Sequence, residues 1–295
     1  MYLLLILSTL LGSLNGVVLN KARLDGNQVY RYNLFGTVVW CIGLFFVNGC
    51  TLNLNSDVVL WAILYGVVQT LFNFFKTKAM NTGPVSITTL IGNCSLVISV
   101  VACFIFWDEK IGLIDVIGLA VLLCGIFLAT YKRPSKDTGE SYNTKWLVYS
   151  AFYFVLAACV GLVFKAFSKS ASPEMTGDMM LLSSIVMLIS YTVVCIFTGA
   201  FKMTNKENAK EQSRDIQKMF IIYALLSGLI SCAYNRLNIF LAGQLPGVIF
   251  YPSFNGGGLL LSVVWSIILL REKLSRKQLV GIFIGALGIC IIGIF

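Results

Sequence analysis

The chain has 295 residues, of which 58% are hydrophobic and only 12% charged, with a net charge of +9 and no histidine; its mean hydropathy is +0.85. Water-soluble domains carry about twice that share of charged residues. An ordinary soluble globule, a disordered chain and a coiled coil are therefore excluded, and the long apolar runs place the protein in a membrane. The basic residues sit in short connections between those runs rather than on one soluble face, so the positive charge does not point to nucleic acid.

A hydrocarbon layer about 30 Å thick needs roughly 20 apolar helical residues to cross it. Ten segments meet this requirement: residues 1–19, 31–49, 57–77, 84–107 and 112–131, then 146–168, 177–200, 219–241, 246–270 and 277–295. The runs are continuous rather than alternating, which selects helices over a barrel. An all-α integral membrane protein with ten transmembrane helices is the predicted fold. The first run lacks the basic leader and small-residue cleavage site of a secretory signal, so it reads as a retained span. Two connections are long enough to be loops, 132–145 and 202–218. The first divides the chain into two five-helix units, 1–131 and 146–295. The second, with five basic and three acidic residues, reads as a solvated connector.

The two units are similar in sequence. A shift of 162 residues lays Gly66 on Gly228, Asn73 on Asn235, Pro84 on Pro246 and Asn93 on Asn255. A shift of 163 lays Glu109-Lys110 on Glu272-Lys273, Gly118 on Gly281 and Gly125 on Gly288. Five spans is an odd number, so the second unit enters the membrane upside down relative to the first. Inverted repeats place a pseudo-two-fold axis in the membrane plane, with a site at the repeat interface that rocking opens to either side. The expectation is alternating-access transport.

This pattern resembles the drug/metabolite transporter superfamily, of the EamA type. The residues that carry the resemblance are Pro84, Trp107-Asp108-Glu109-Lys110 and Gly118 in one unit, and Pro246, Arg271-Glu272-Lys273 and Gly281 in the other. The start at Met1 and the pair Asn15-Gly16 also resemble the sugar-uptake branch. The resemblance implies that the first, third and fourth helices of each unit line a central cavity.

Eighteen of the 22 basic residues fall in the odd-numbered connections and four on the even side. The positive-inside rule then puts the odd connections in the cytoplasm and both termini on the outer side of the plasma or inner membrane.

Polar groups inside a span are costly and face partners or a cavity. Asn73, Asn93, Asn235 and Asn255 stand at repeat-related positions as candidate amides for a polar solute or as interhelical hydrogen bonds. Tyr234-Asn235-Arg236-Leu237-Asn238 is the most polar patch in any span. Arg236 can offer a planar fork to an anion or snorkel to the interface. Lys76 and Lys165 lie near helix ends, where snorkelling is expected; Lys76 is also a cavity candidate, and cations facing the cavity would make the site electropositive and selective for anions. Tyr65, Tyr251 and Trp265 are aromatic candidates for stacking or packing. Gly256, Gly257 and Gly258, with Pro84 and Pro246, are candidates for a helix break, hinge or close packing. The Gly281–Gly285 face suits packing or dimerisation, so a monomer or a homodimer through the terminal helices is open. The clusters around Glu109 and Glu272 read as interfacial ion pairs, with gating as the sharper alternative.

No carboxylate falls mid-span and no histidine exists, which argues against a proton-driven cation extruder. The same lack removes the usual acid–base and metal sets, so no enzyme and no cofactor is expected. The nine cysteines read as small hydrophobes. The predicted function is a secondary transporter of a small polar metabolite. A flippase for a lipid-linked solute and a channel are the alternatives.

Overall fold

The computed structural model describes residues 1–21, 28–130, 143–200, 210–270 and 275–294. Every element among them is helical: α1 (Tyr2–Lys21), α2 (Gln28–Val47), α3 (Ser56–Thr82), α4 (Val85–Cys94), α5 (Leu96–Trp107), α6 (Leu113–Thr130), α7 (Thr144–Phe167), α8 (Thr176–Phe197), α9 (Lys210–Gln244), α10 (Gly247–Tyr251), α11 (Gly257–Leu270) and α12 (Arg276–Ile294). Eight segments among the described residues are long and apolar enough to cross a membrane, with α1 and α12 flanking them.

Local chemistry sets the helix ends. Asn55 and Asn143 are N-caps, accepting from the backbone N–H of Asp57 and Trp146 at 3.4 and 2.7 Å. Pro84 and Pro246 both precede the first turn of a helix, α4 and α10, where the missing N–H costs nothing. The connection expected over 202–218 is shorter than predicted. Residues 210–218 are KEQSRDIQK, mostly strong helix formers, and they extend α9 back to Lys210. Residues 201–209, most of the 132–145 connection and the Arg271-Glu272-Lys273 cluster lie outside the described residues.

Two spans that the sequence presents as continuous are interrupted. Residues 84–107 divide at Ser95 into α4 and α5. Residues 246–270 divide into α10, a π-helical turn at Pro252–Gly256, and α11. Pro252 has no N–H to give to the preceding turn, which accounts for the irregularity there. The break therefore begins one turn before the three glycines and ends on the first of them. Gly256 closes the π turn, and a Cβ on it would lie 2.8 Å from Leu122 Cδ2. Gly257 and Gly258 begin α11.

Packing is pairwise. α3 lies against α7 and α8, α9 against α1 and α2, α2 against α8, and α6 against α12. The last pair is in backbone contact. A Cβ on Gly125 would lie 2.2 Å from the Gly285 amide nitrogen, and one on Gly288 would lie 2.5 Å from the Leu122 nitrogen. The Gly281–Gly285 face is thus covered by α6 of the same chain. Phe46, Phe106, Leu113 and Phe197 are exposed on the outside, the arrangement of a helix bundle whose outer solvent is lipid.

Candidate functional site

The helices enclose a cavity of about 390 Å³ between α1, α2, α3, α4, α7, α8, α9 and the α10–α11 break. On α3 its lining residues are Tyr65, Gln69, Phe72, Asn73 and Lys76. These fall at i, i+4, i+7, i+8 and i+11, one face of a helix. On α9 they include Ser227, Ser231, Tyr234, Asn235 and Asn238. Each of these five stands 162 positions after its counterpart on α3. Asn93 on α4 and Asn255 in the π turn also line the cavity, again 162 apart.

Several of these polar groups are already engaged. Asn73 Nδ2 donates to Tyr191 Oη at 2.8 Å and to Gln69 O at 3.1 Å. Asn93 and Asn235 donate to carbonyls one turn back, Thr89 O at 2.8 Å and Ser231 O at 3.0 Å. Asn238 accepts from Ser8 Oγ at 2.6 Å, tying α9 to α1. Tyr251 Oη donates to Gly161 O at 3.2 Å. Asn255 makes no side-chain hydrogen bond among the described residues. The amide oxygens of Asn73, Asn93 and Asn235 accept no hydrogen bond from another described side chain, so these residues can both hold helices together and receive a donor from the cavity.

Residues beyond the sequence candidates complete the wall. Asn15 Nδ2 donates to Ser231 Oγ at 3.2 Å, and Asn15 Oδ1 accepts from Ser227 Oγ at 2.7 Å. Gln69 Oε1 and Trp40 Nε1 are buried without a hydrogen-bond partner, and both residues line the cavity. Such atoms are expensive to leave unpaired. Gln69 was detectable in the sequence as the polar residue one turn before Asn73 and 162 before Ser231. Aromatic faces frame the space: Tyr65 stacks on Phe164 with centroids 4.6 Å apart, and Tyr234 on Phe254 at 6.2 Å. Trp265 instead donates to Ser13 Oγ at 3.0 Å.

Two expectations about cations need correction. Arg236 does not line the cavity. It follows Asn235 directly, which turns it about 100° around α9, and its Nη1 is buried without a hydrogen-bond partner. Lys165 does not snorkel. It is 2% exposed and pairs with Glu109, because the end of α5 comes within its reach and a buried ammonium needs a counter-charge. Glu109 also accepts from the Gly247 N–H, at the first turn of α10, at 2.6 Å. One carboxylate thus joins the ends of α5 and α7 to the start of α10. At the same end of the bundle Asn48 donates to Asp178 at 2.8 Å and Asn55 to Ser172 at 2.9 Å.

The profile of the family described as sugar transport protein matches residues 3–295. A Listeria monocytogenes protein named for sugar uptake is 27% identical over 263 residues, covering 86% of this chain and 77% of its own length. A Priestia megaterium protein named for glucose uptake, GlcU, is 26% identical over 292 residues, covering 94% and 92%. A solved crystal structure, 11% identical, superimposes with a TM-score of 0.71 over 99% of this chain and 96% of its own. At that identity it speaks for the fold alone.

Proposed function

The chain belongs to the sugar transport protein family, and from this premise we propose that it moves a sugar-class solute across the membrane by alternating access, with the cavity as its binding site. As a member of that family it is a membrane transporter of a small polar solute. The proposal adds the site and the mechanism. The wider relation we infer is to the drug/metabolite transporter superfamily, with ten spans in two inverted units, 1–131 and 146–295.

The observation that carries the reading is the matched lining of α3 and α9. Five positions on each helix, related by one constant shift, face the same space. The helix pairs support it too. Exchanging the two units turns the α1–α9 contact into α7–α3 and the α2–α9 contact into α8–α3, and returns α2–α8 and α6–α12 to themselves. A site on such an axis meets both faces of the membrane in turn. The cavity volume falls within the ~300–1,000 Å³ of small-molecule sites. Its lining of amides, hydroxyls and aromatic faces suits a compact polyol that presents hydroxyls at its edge and C–H groups on its faces.

The test is uptake of labelled monosaccharides into proteoliposomes. Gln69→Leu removes an acceptor that the solute is to fill, without disturbing a bond its side chain makes within the protein. It is expected to raise KM about tenfold, the worth of one hydrogen bond near the upper end of ~0.5–1.5 kcal/mol, at unchanged thermal stability. Unchanged KM would remove Gln69 from the site. We further propose that the odd-numbered connections face the cytoplasm, as their basic residues require. A reporter fused after Phe295 that is active only in the cytoplasm is then expected to be silent, and an active one would reverse the orientation.

A further inference from the structure

Among the described residues that line the cavity, Lys76 alone is ionisable to a cation, and no aspartate, glutamate or arginine is present. Among the described residues Lys76 has no ion pair. Its ammonium lies 5.8 Å from the centroid of the Phe72 ring, one turn back on α3. That contact offsets part of its desolvation, on the order of 1 kcal/mol, and leaves the charge uncompensated. The position related to it by the repeat, Asn238, is neutral and already bound by Ser8. The lysine is therefore no requirement of the lining pattern. It is an addition to one side of the site.

We propose that Lys76 is the counter-charge for an anionic sugar, a monosaccharide-sized solute that carries a carboxylate or phosphate group. This rests on the transport reading above and names the solute class of that same cavity. Three observations converge. A lone ammonium in a span is costly unless paired or placed in a polar cavity, and here no described residue provides a partner. No carboxylate stands among its described lining residues, so an organic cation would meet the ammonium with only aromatic faces to offset the repulsion. The groups around the lysine, Asn73 and Gln69 on the same face of α3, are suited to the hydroxyls of a solute whose acidic end reaches Lys76. The ammonium gives a compact point charge, matched to either oxyanion without the bidentate geometry an arginine would impose. The loaded site is then close to neutral and the empty one is not.

The test measures binding by thermal shift and transport by counterflow, using glucose, gluconate, glucuronate and glucose 6-phosphate. The acids are expected to stabilise the wild-type protein at lower concentrations than glucose. Gluconate and glucuronate against glucose 6-phosphate tell a carboxylate from a phosphate. Lys76→Gln is expected to weaken acid binding at least tenfold more than it weakens glucose binding, and Lys76→Arg to keep the preference for acids. The preference should also shrink at high salt. Transport of glucose with no binding of the acids, or equal acid binding by Lys76→Gln at wild-type stability, would overturn the proposal and leave sugar transport standing. If Lys76→Gln does not fold, the salt dependence and the acid-to-glucose ratio of the wild type decide alone. Failure to bind or move any of the four would overturn the transport reading itself.

Discussion

Lys165→Met is expected to destabilise the protein by about 3 kcal/mol and to lower uptake sharply. Removing one partner of a buried pair leaves the other charge without compensation, which typically costs ~3–5 kcal/mol. The lower end applies because Glu109 is 19% exposed and keeps the Gly247 N–H. The double variant Glu109→Gln/Lys165→Met removes both charges and is expected to recover most of the lost stability. Thermal unfolding in detergent of the two single variants and the double gives the coupling directly. Stability and transport are expected to part company in the double variant. A folded protein without the pair no longer holds the ends of α5 and α7 to α10, so its flux should differ from wild type even where its melting temperature does not. Additive losses in the double variant would show that the two side chains do not act on each other.

Gly125→Val is expected to be at least as damaging, through packing alone. A Cβ at this position falls 2.2 Å from the Gly285 nitrogen and 2.8 Å from the Gly281 oxygen. These are backbone atoms, which cannot rotate aside as a side-chain tip does. Overpacking ordinarily costs ~1–3 kcal/mol, and forcing two helix backbones apart along their crossing belongs at or above the top of that range. Low membrane yield and early unfolding are the expected readouts. Gly16→Ala is the control, since nothing lies within 4 Å of the added carbon and alanine is the better helix former, so it should unfold at or slightly above the wild-type temperature.

Much of this was legible in the sequence because a membrane simplifies the reading. Lipid demands internal backbone pairing, so apolar length alone announces each helix. Asn73, Asn93, Asn235 and Asn255 stood out because a polar residue in a span has to be justified, and all four line the cavity. Tyr234, Tyr251, Asn238 and Lys76 line it as well. What stayed hidden depends on which way a helix is rotated and on which distant ends meet. Arg236 and Asn235 are neighbours in sequence, yet only one faces the cavity. Lys165 and Glu109 are 56 residues apart, one on α7 and one just past α5, and no periodicity links them. The π turn at Pro252–Gly256 was obscured because the run of three glycines stands out in the sequence, although the single Pro252 is the stronger helix breaker.

In the Glu109–Lys165 contact, Lys165 has no basic residue at its repeat-related position. The shift that maps Asn73 to Asn235 maps Lys165 back to Leu3, which is 82% exposed. In an alternating carrier the two orientations of the site would then differ in energy even though the two units are alike. A solute arriving from the side served by the rarer orientation binds with an apparent affinity reduced by that orientation's population. Each ~1.4 kcal/mol of difference weakens it about tenfold. Without a coupled ion such a carrier accumulates nothing, yet it saturates at different concentrations on its two faces. It would respond to scarcity outside and abundance inside on separate scales, set by one lysine at the end of α7.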